Sequence, residues 1–271
     1  MTEAAQTPDF LPKGTVERAI VSIGKVLSLG YALSIAVTIY DVACDKLATP
    51  TIWVYDVVTT AIAVSFLIGG SWALQRREHI QITALFDRYP DRTKRVCDAI
   101  GYIGTLVYLF VVMWFSWRLA KDAVLDWEVG GSAWAQPTPV VVKVSMLLGT
   151  LMMIFQGAIN LRRVIAQIGT ATWHVKASFA LAALFVVWLS LTLASDGAWT
   201  PINPLDALAG GRFSLDIQTI SLLMLACFVL FIIVLGMPIA FATGLIAVIF
   251  CVVFRNTDAL AIITFRTYGF V

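Results

Sequence analysis

Runs of about twenty apolar residues recur along this chain, and that one pattern decides what it can fold into. A helix needs about 20 apolar residues to cross the hydrocarbon core of a bilayer. Seven segments qualify as candidates: Ile20–Tyr40, Trp53–Leu74, Cys97–Leu119, Val140–Leu161, Phe179–Ala194, Ile217–Leu235 and Pro238–Phe254. The last two are nearly continuous and are broken only at Gly236-Met237-Pro238. Proline has no amide donor and clashes with the preceding turn, so the break predicts a kink or a tight hairpin centred on Gly236 and Pro238. The expected fold is all-α: a polytopic bundle of about seven transmembrane helices.

Composition agrees. Hydrophobic residues make up 59% of the 271 residues and charged residues 13%, against roughly 25% charged in a soluble domain. Mean hydropathy is +0.86. A net charge of +2 is too small to imply a nucleic-acid partner. Residues 1–13 are acidic and polar with no basic n-region, so the first apolar run is expected to stay as a span instead of being cleaved.

Lys and Arg set the expected orientation, because basic loops stay on the cytoplasmic side. Arg76, Arg77, Arg88, Arg92, Lys94 and Arg95 follow the second segment. Lys13, Arg18 and Lys25 flank the first, and Arg162, Arg163 and Lys176 follow the fourth. The intervening loops carry few cations, and Asp126–Pro139 has none. The N-terminus is therefore expected in the cytoplasm. Trp53, Tyr55, Trp127, Trp134 and Trp199 then all fall on the outward side, where indole and phenol rings suit the headgroup layer.

Between the second and third segments, Ile82, Leu85, Phe86 and Tyr89 recur at helical spacing. That stripe predicts a short amphipathic helix lying in the cytoplasmic interface. Small residues repeat every fourth position at Ala61, Ser65 and Gly69, and again at Gly236, Ala240 and Gly244. Such stripes let helix backbones approach closely in lipid. The Pro- and Gly-rich stretch Ser195–Asp216 reads as a linker.

Chemistry-bearing motifs do not appear. His79 and His174 both lie at span edges, which argues against a bis-histidine haem and a membrane redox subunit. There is no HExxH, GxSxG, P-loop or GxGxxG, and Cys44, Cys97, Cys227 and Cys251 form no CxxC pair. No enzyme activity and no cofactor are expected. No span carries the run of carboxylates or the discontinuous helix from which a complete secondary transporter builds its site, so the chain is not expected to hold a solute or ion site by itself. Ionisable residues at span ends are costly and need a reason. Asp56 reads as a helix N-terminal cap or a contact to a partner subunit. Arg118 and Asp122, one turn apart, can pair, and Lys121, Asp126 and Lys143 share their end of the bundle.

The stretch Val21–Ile165 resembles the small membrane subunit of tripartite ATP-independent periplasmic (TRAP) transporters. The carriers are Trp53 and Asp56, then Arg77-Glu78-His79-Ile80-Gln81-Ile82, then Asp87-Arg88 with Asp91-Arg92-Thr93-Lys94-Arg95 and Asp98. Trp127-Glu128, Ser132-Ala133-Trp134, Pro139, Lys143, Gln156-Gly157 and Arg162-Arg163 complete the match. From about Asp216 the chain is similar to the start of the same system's large subunit, carried by Gly236-Met237-Pro238-Ile239-Ala240-Phe241-Ala242-Thr243-Gly244.

The resemblance implies a cytoplasmic tail at 1–19, a four-helix small-subunit module at 20–165, and a linker with one extra span and an external loop at 166–215. It implies the front of a large, permease subunit at 216–271, so that the chain is expected to be either a fragment of a longer fusion or a truncated gene product. It further implies a sodium-coupled importer of carboxylates in the bacterial inner membrane, working with a periplasmic binding protein, with sodium bound only by the complete transporter. In that setting Asp45, Asp56, Arg118, Asp126, Glu128 and Trp134 are expected to touch the binding protein or the large subunit. A rival reading, motivated by the missing intramembrane polar site, is a non-transporting assembly or sensor subunit.

Overall fold

A computed structural model describes residues 14–47, 49–131, 135–168, 217–254 and the isolated positions 173, 177, 180, 181 and 184. Trp134, His174, all but three residues of the fifth candidate span, the Ser195–Asp216 linker and the chain past residue 254 lie outside the described residues. Every regular element among the described residues is helical: α1 (Thr15–Lys46), α2 (Val54–Arg76), a 3-10 turn (Phe86–Arg88), α3 (Asp91–Leu125), α4 (Thr138–Ile168), α5 (Ile217–Val229), a π turn (Leu230–Val234) and α6 (Ile239–Phe254). The protein is all-α, as its sequence predicts.

Four helices, α1 to α4, are long and apolar enough to cross a membrane. They overrun the segments expected from hydropathy. α1 has 32 residues, about 48 Å at 1.5 Å per residue, whereas a hydrocarbon core of about 30 Å needs only 20. α5 with its π turn, and α6, fall on the sixth and seventh candidate segments.

The residues cluster into two compact units. The first draws on Met1–Glu78 and Ser116–Gln156, and holds α1, α2, the end of α3 and most of α4. α1 and α2 run antiparallel. Gly24 lies under the Trp72 ring, and Gly30 meets Ser65, whose hydroxyl reaches the Leu27 carbonyl at 3.4 Å. α2 and α4 run parallel. Thr60 Oγ1 donates to Thr138 Oγ1 at 3.2 Å, Gly149 packs on the Leu67 backbone, and Met153 covers Gly70. Of the small residues expected to line the packing face of α2, Ser65 makes a close contact, while a Cβ at Gly69 would meet nothing within 4 Å. The closest approaches instead use Gly24 and Gly149, which belong to the partner helices.

At the other end of α1, the Gly14 amide donates to Glu17 Oε2 at 3.2 Å, one half of a capping box. Glu17 is 1% exposed, and Gln156 Nε2 donates to its Oε1 at 3.5 Å. Burying a carboxylate is tolerable only with such donors around it.

The second unit draws on His79–Phe115 and Gly157–Phe270. Its core joins α3 to the end of α4 through Ala99, Ile103, Leu161 and Val164, flanked by Leu106 and Ile168. Arg95 Nη1 donates to the Gln167 carbonyl at 2.9 Å, which ties the first turns of α3 to the last turn of α4.

The amphipathic helix expected over residues 79–89 is not formed. Residues 79–83 have no regular structure, and only Phe86–Arg88 turns, as a single 3-10 turn. Tyr89 is extended, at φ −76° and ψ 150°, as befits a residue that precedes proline.

Candidate interface sites

In the second unit the Gly236-Met237-Pro238 break is built as a helix C-cap followed at once by a new helix. The Leu235 amide donates to the Leu230 carbonyl at 3.3 Å, and the Met237 amide reaches back to the Phe231 carbonyl at 3.2 Å. Between them Gly236 takes the left-handed conformation at φ 63°, where a side chain is strained. A left-handed glycine closes the helix as at many helix C-termini, but the back-bond spans one residue more than in a Schellman ending because the last turn is a π turn, and proline follows because the helix cannot continue. Pro238 then opens α6: its carbonyl accepts from Phe241 at 3.1 Å and Ala242 at 3.0 Å.

The 79–90 connection and one face of α3 grip this break. The Ile239 amide has no partner within its own helix, as first-turn amides never do, and it donates to the Ile80 carbonyl at 3.0 Å. The Phe86 ring closes on Gly236, where a Cβ would come within 2.9 Å of it. His79 meets Phe241 edge to face, with ring centroids 4.9 Å apart. From α3, Gly101 and Gly104 make room for Met237 and Leu245, and the Tyr108 ring covers Gly244. Met237, Phe241 and Leu245 are buried. The contacts are one backbone hydrogen bond, aromatic edges and close backbone approach, which is the chemistry of a helix seat and not of a reaction centre. In the second small-residue stripe, Gly236 and Gly244 are packed while Ala240 is exposed.

The first unit carries a polar cluster where α3 ends and α4 begins. Lys143 is 8% exposed, in the second turn of α4, and forms an ion pair with Glu128. That pair explains how a lysine is tolerated there, since a charge in this position needs a partner. Arg118, Asp122 and Asp126 are exposed on α3 and the turn after it, and Asp45 is exposed in the last turn of α1. Asp56 sits half-buried in the first turn of α2, where the helix dipole favours it, but the N-cap position itself belongs to Trp53. Nearby, Thr51 donates to Asp41, and the Tyr40 and Trp53 rings lie 6.3 Å apart.

The structure thus brings Glu128 together with Lys143 and leaves Asp45, Arg118 and Asp126 on the surface; Trp134 lies outside the described residues. Sequence reasoning placed Lys143 at this end without its partner. The signal that could have found Glu128 is the cost of a lysine in an apolar span, with no other acidic residue between Asp126 and Lys143. Sequence reasoning read Gly236 and Pro238 as a helix break and Gly236, Ala240 and Gly244 as a packing stripe, but missed the 79–90 connection and the α3 face that hold them.

Four helices long and apolar enough to cross a membrane define the class: an integral membrane protein. Residues 34–167 match the family model described as "Tripartite ATP-independent periplasmic transporters, DctQ component", a family of transporter components and not of enzymes. No curated protein and no solved structure matches the chain. One half of the seat, His79 to Tyr108, lies within the matched stretch, and the other half, Gly236 to Leu245, lies beyond it.

Proposed function

We propose that this chain is the scaffold-bearing membrane component of a sodium-coupled TRAP importer of organic acids in a bacterial inner membrane, fused to the front of its large subunit. The observation that carries this reading is the seat itself. Within one chain, a connection and helix face of the family-matched stretch hold the Gly236 break and α6 by a backbone hydrogen bond and buried side chains. A small subunit that braces a large one needs such a permanent contact, and fusing the two makes the contact intramolecular and raises its effective concentration.

In this reading residues 1–19 form a cytoplasmic tail, 20–165 the scaffold module, 166–215 a linker that crosses the membrane once more, and 216–271 the start of the permease. The basic 76–95 stretch faces the cytoplasm. The exposed Asp45, Arg118 and Asp126, with Asp56, Glu128 and Trp134, face outward toward a periplasmic binding protein or the remainder of the large subunit. Sodium and solute are bound by that remainder.

Deleting the codons for residues 20–165 from the intact locus tests the scaffold role. Loss of sodium-dependent carboxylate uptake with the other components still in the membrane supports it. Uptake that persists contradicts it and favours a non-transporting assembly subunit.

A further inference from the structure

The end of the second unit where α3 begins and α4 finishes is strongly cationic. Residues 84–98 and 160–168 hold Arg88, Arg92, Lys94, Arg95, Arg162 and Arg163, six cations, against three carboxylates, Asp87, Asp91 and Asp98. The Arg95–Gln167 bond brings the two stretches to one place. Arg88, Arg92 and Arg162 are exposed. In the same connection two large apolar side chains are also exposed, Ile80 at 78% and Ile82 at 42%. α3 and α4 are both long enough to cross a bilayer, so this patch lies where an apolar span gives way to a charged end.

We propose that Arg88, Arg92, Ile80 and Ile82 form a binding surface for anionic phospholipid, and that its occupancy holds the 79–90 connection on the Gly236 break. Guanidinium groups are matched to phosphate oxygens, and a cationic end between membrane helices attracts anionic headgroups. The exposed isoleucines select a lipid over a soluble phosphate, because only a lipid has acyl chains to cover them. The coupling is geometric. Arg88 belongs to the same 3-10 turn as Phe86, whose ring closes on Gly236, and Ile80 is the residue whose carbonyl accepts from Ile239. A headgroup that immobilises Arg88 therefore immobilises both contacts. The inference needs the helices to lie in a bilayer and does not depend on what the complete system transports.

The test is amide hydrogen exchange of the full chain in nanodiscs of phosphatidylcholine alone or mixed with phosphatidylglycerol. Phosphatidylglycerol should slow exchange at Phe86–Tyr89 and at Ile239 by about 25-fold at most, on the basis of two arginines each contributing roughly fivefold. R88Q/R92Q should lose that effect, whereas R88K/R92K and the distant R118Q should keep most of it. Equal exchange of the unaltered chain in the two lipids overturns the proposal without any variant. So does an undiminished effect in R88Q/R92Q. Equal protection by soluble glycerol phosphate in phosphatidylcholine discs also overturns it, because a free anion would then suffice.

Discussion

The amide of Ile239 donates to the carbonyl of Ile80 at 3.0 Å, so the first residue of α6 is satisfied by a loop residue 159 positions earlier in the chain. A helix start inside a membrane protein leaves amides that lipid cannot satisfy. Here one of them is met by a connection that stays non-helical and so keeps its own carbonyl available. This bond and the Phe86 ring define how the break at Gly236 is held.

Gly236→Ala should destabilise the protein by about 1–3 kcal/mol, from the strain of a non-glycine residue at positive φ and from collision with Phe86. Thermal unfolding in detergent reads the loss. Adding Phe86→Ala to Gly236→Ala should relieve only the collision, so the double variant should fall short of the sum of the singles. Strict additivity would show that Phe86 does not pack there.

Gly149 and Gly69 should respond oppositely to alanine. A Cβ at Gly149 runs into the Leu67 backbone, which cannot swing aside, whereas at Gly69 it meets nothing. Gly149→Ala should cost about 1–3 kcal/mol through forced separation of α2 and α4. Gly69→Ala should be neutral or stabilise by up to about 1 kcal/mol, since alanine is the better helix former. Denaturation midpoints of the two variants decide it.

The Glu128–Lys143 pair should behave as a unit. Lys143 is nearly buried, while Glu128 keeps 35% of its side chain exposed, so solvent discounts the penalty of a fully buried charge. Glu128→Gln should cost about 1–2 kcal/mol. Lys143→Met combined with Glu128→Gln should cost less than the sum of the singles, because neither charge is then left alone. A double-mutant cycle on unfolding free energy gives the coupling, and a value of zero would remove the pair from the account.

Orientation follows from the same charges. A cysteine placed at Arg88 in a background without Cys44, Cys97, Cys227 and Cys251 should resist a membrane-impermeant thiol reagent applied from the periplasmic side. A cysteine at Asp45 should react. The reverse pattern would invert the proposed topology.

Most of the architecture was legible because membrane helices announce themselves one at a time. Ile20–Tyr40, Cys97–Leu119 and Val140–Leu161 each lie within a long helix of the structure, and Trp53–Leu74 covers most of α2 with Trp53 as its N-cap, since burial in lipid depends on local hydropathy. What was not legible depends on contacts distant in sequence. The Ile82, Leu85, Phe86 and Tyr89 stripe has helical spacing, yet Phe86 is taken by Gly236, the Ile80 carbonyl by Ile239, and Tyr89 is held extended ahead of Pro90. Likewise, the stripe at Ala61, Ser65 and Gly69 marks a plausible packing face, but the shape of the neighbouring helices decides which small residue is used, and Gly149 and Gly24 supply the close contacts.

The most direct test of the account is the initial rate of carboxylate uptake into proteoliposomes holding this chain, the rest of the large membrane component and the periplasmic binding protein, over a panel of organic acids. Uptake of at least one acid should require an inward sodium gradient and should vanish when residues 20–165 are omitted. Uptake that proceeds without those residues, or is indifferent to sodium for every acid transported, would contradict it.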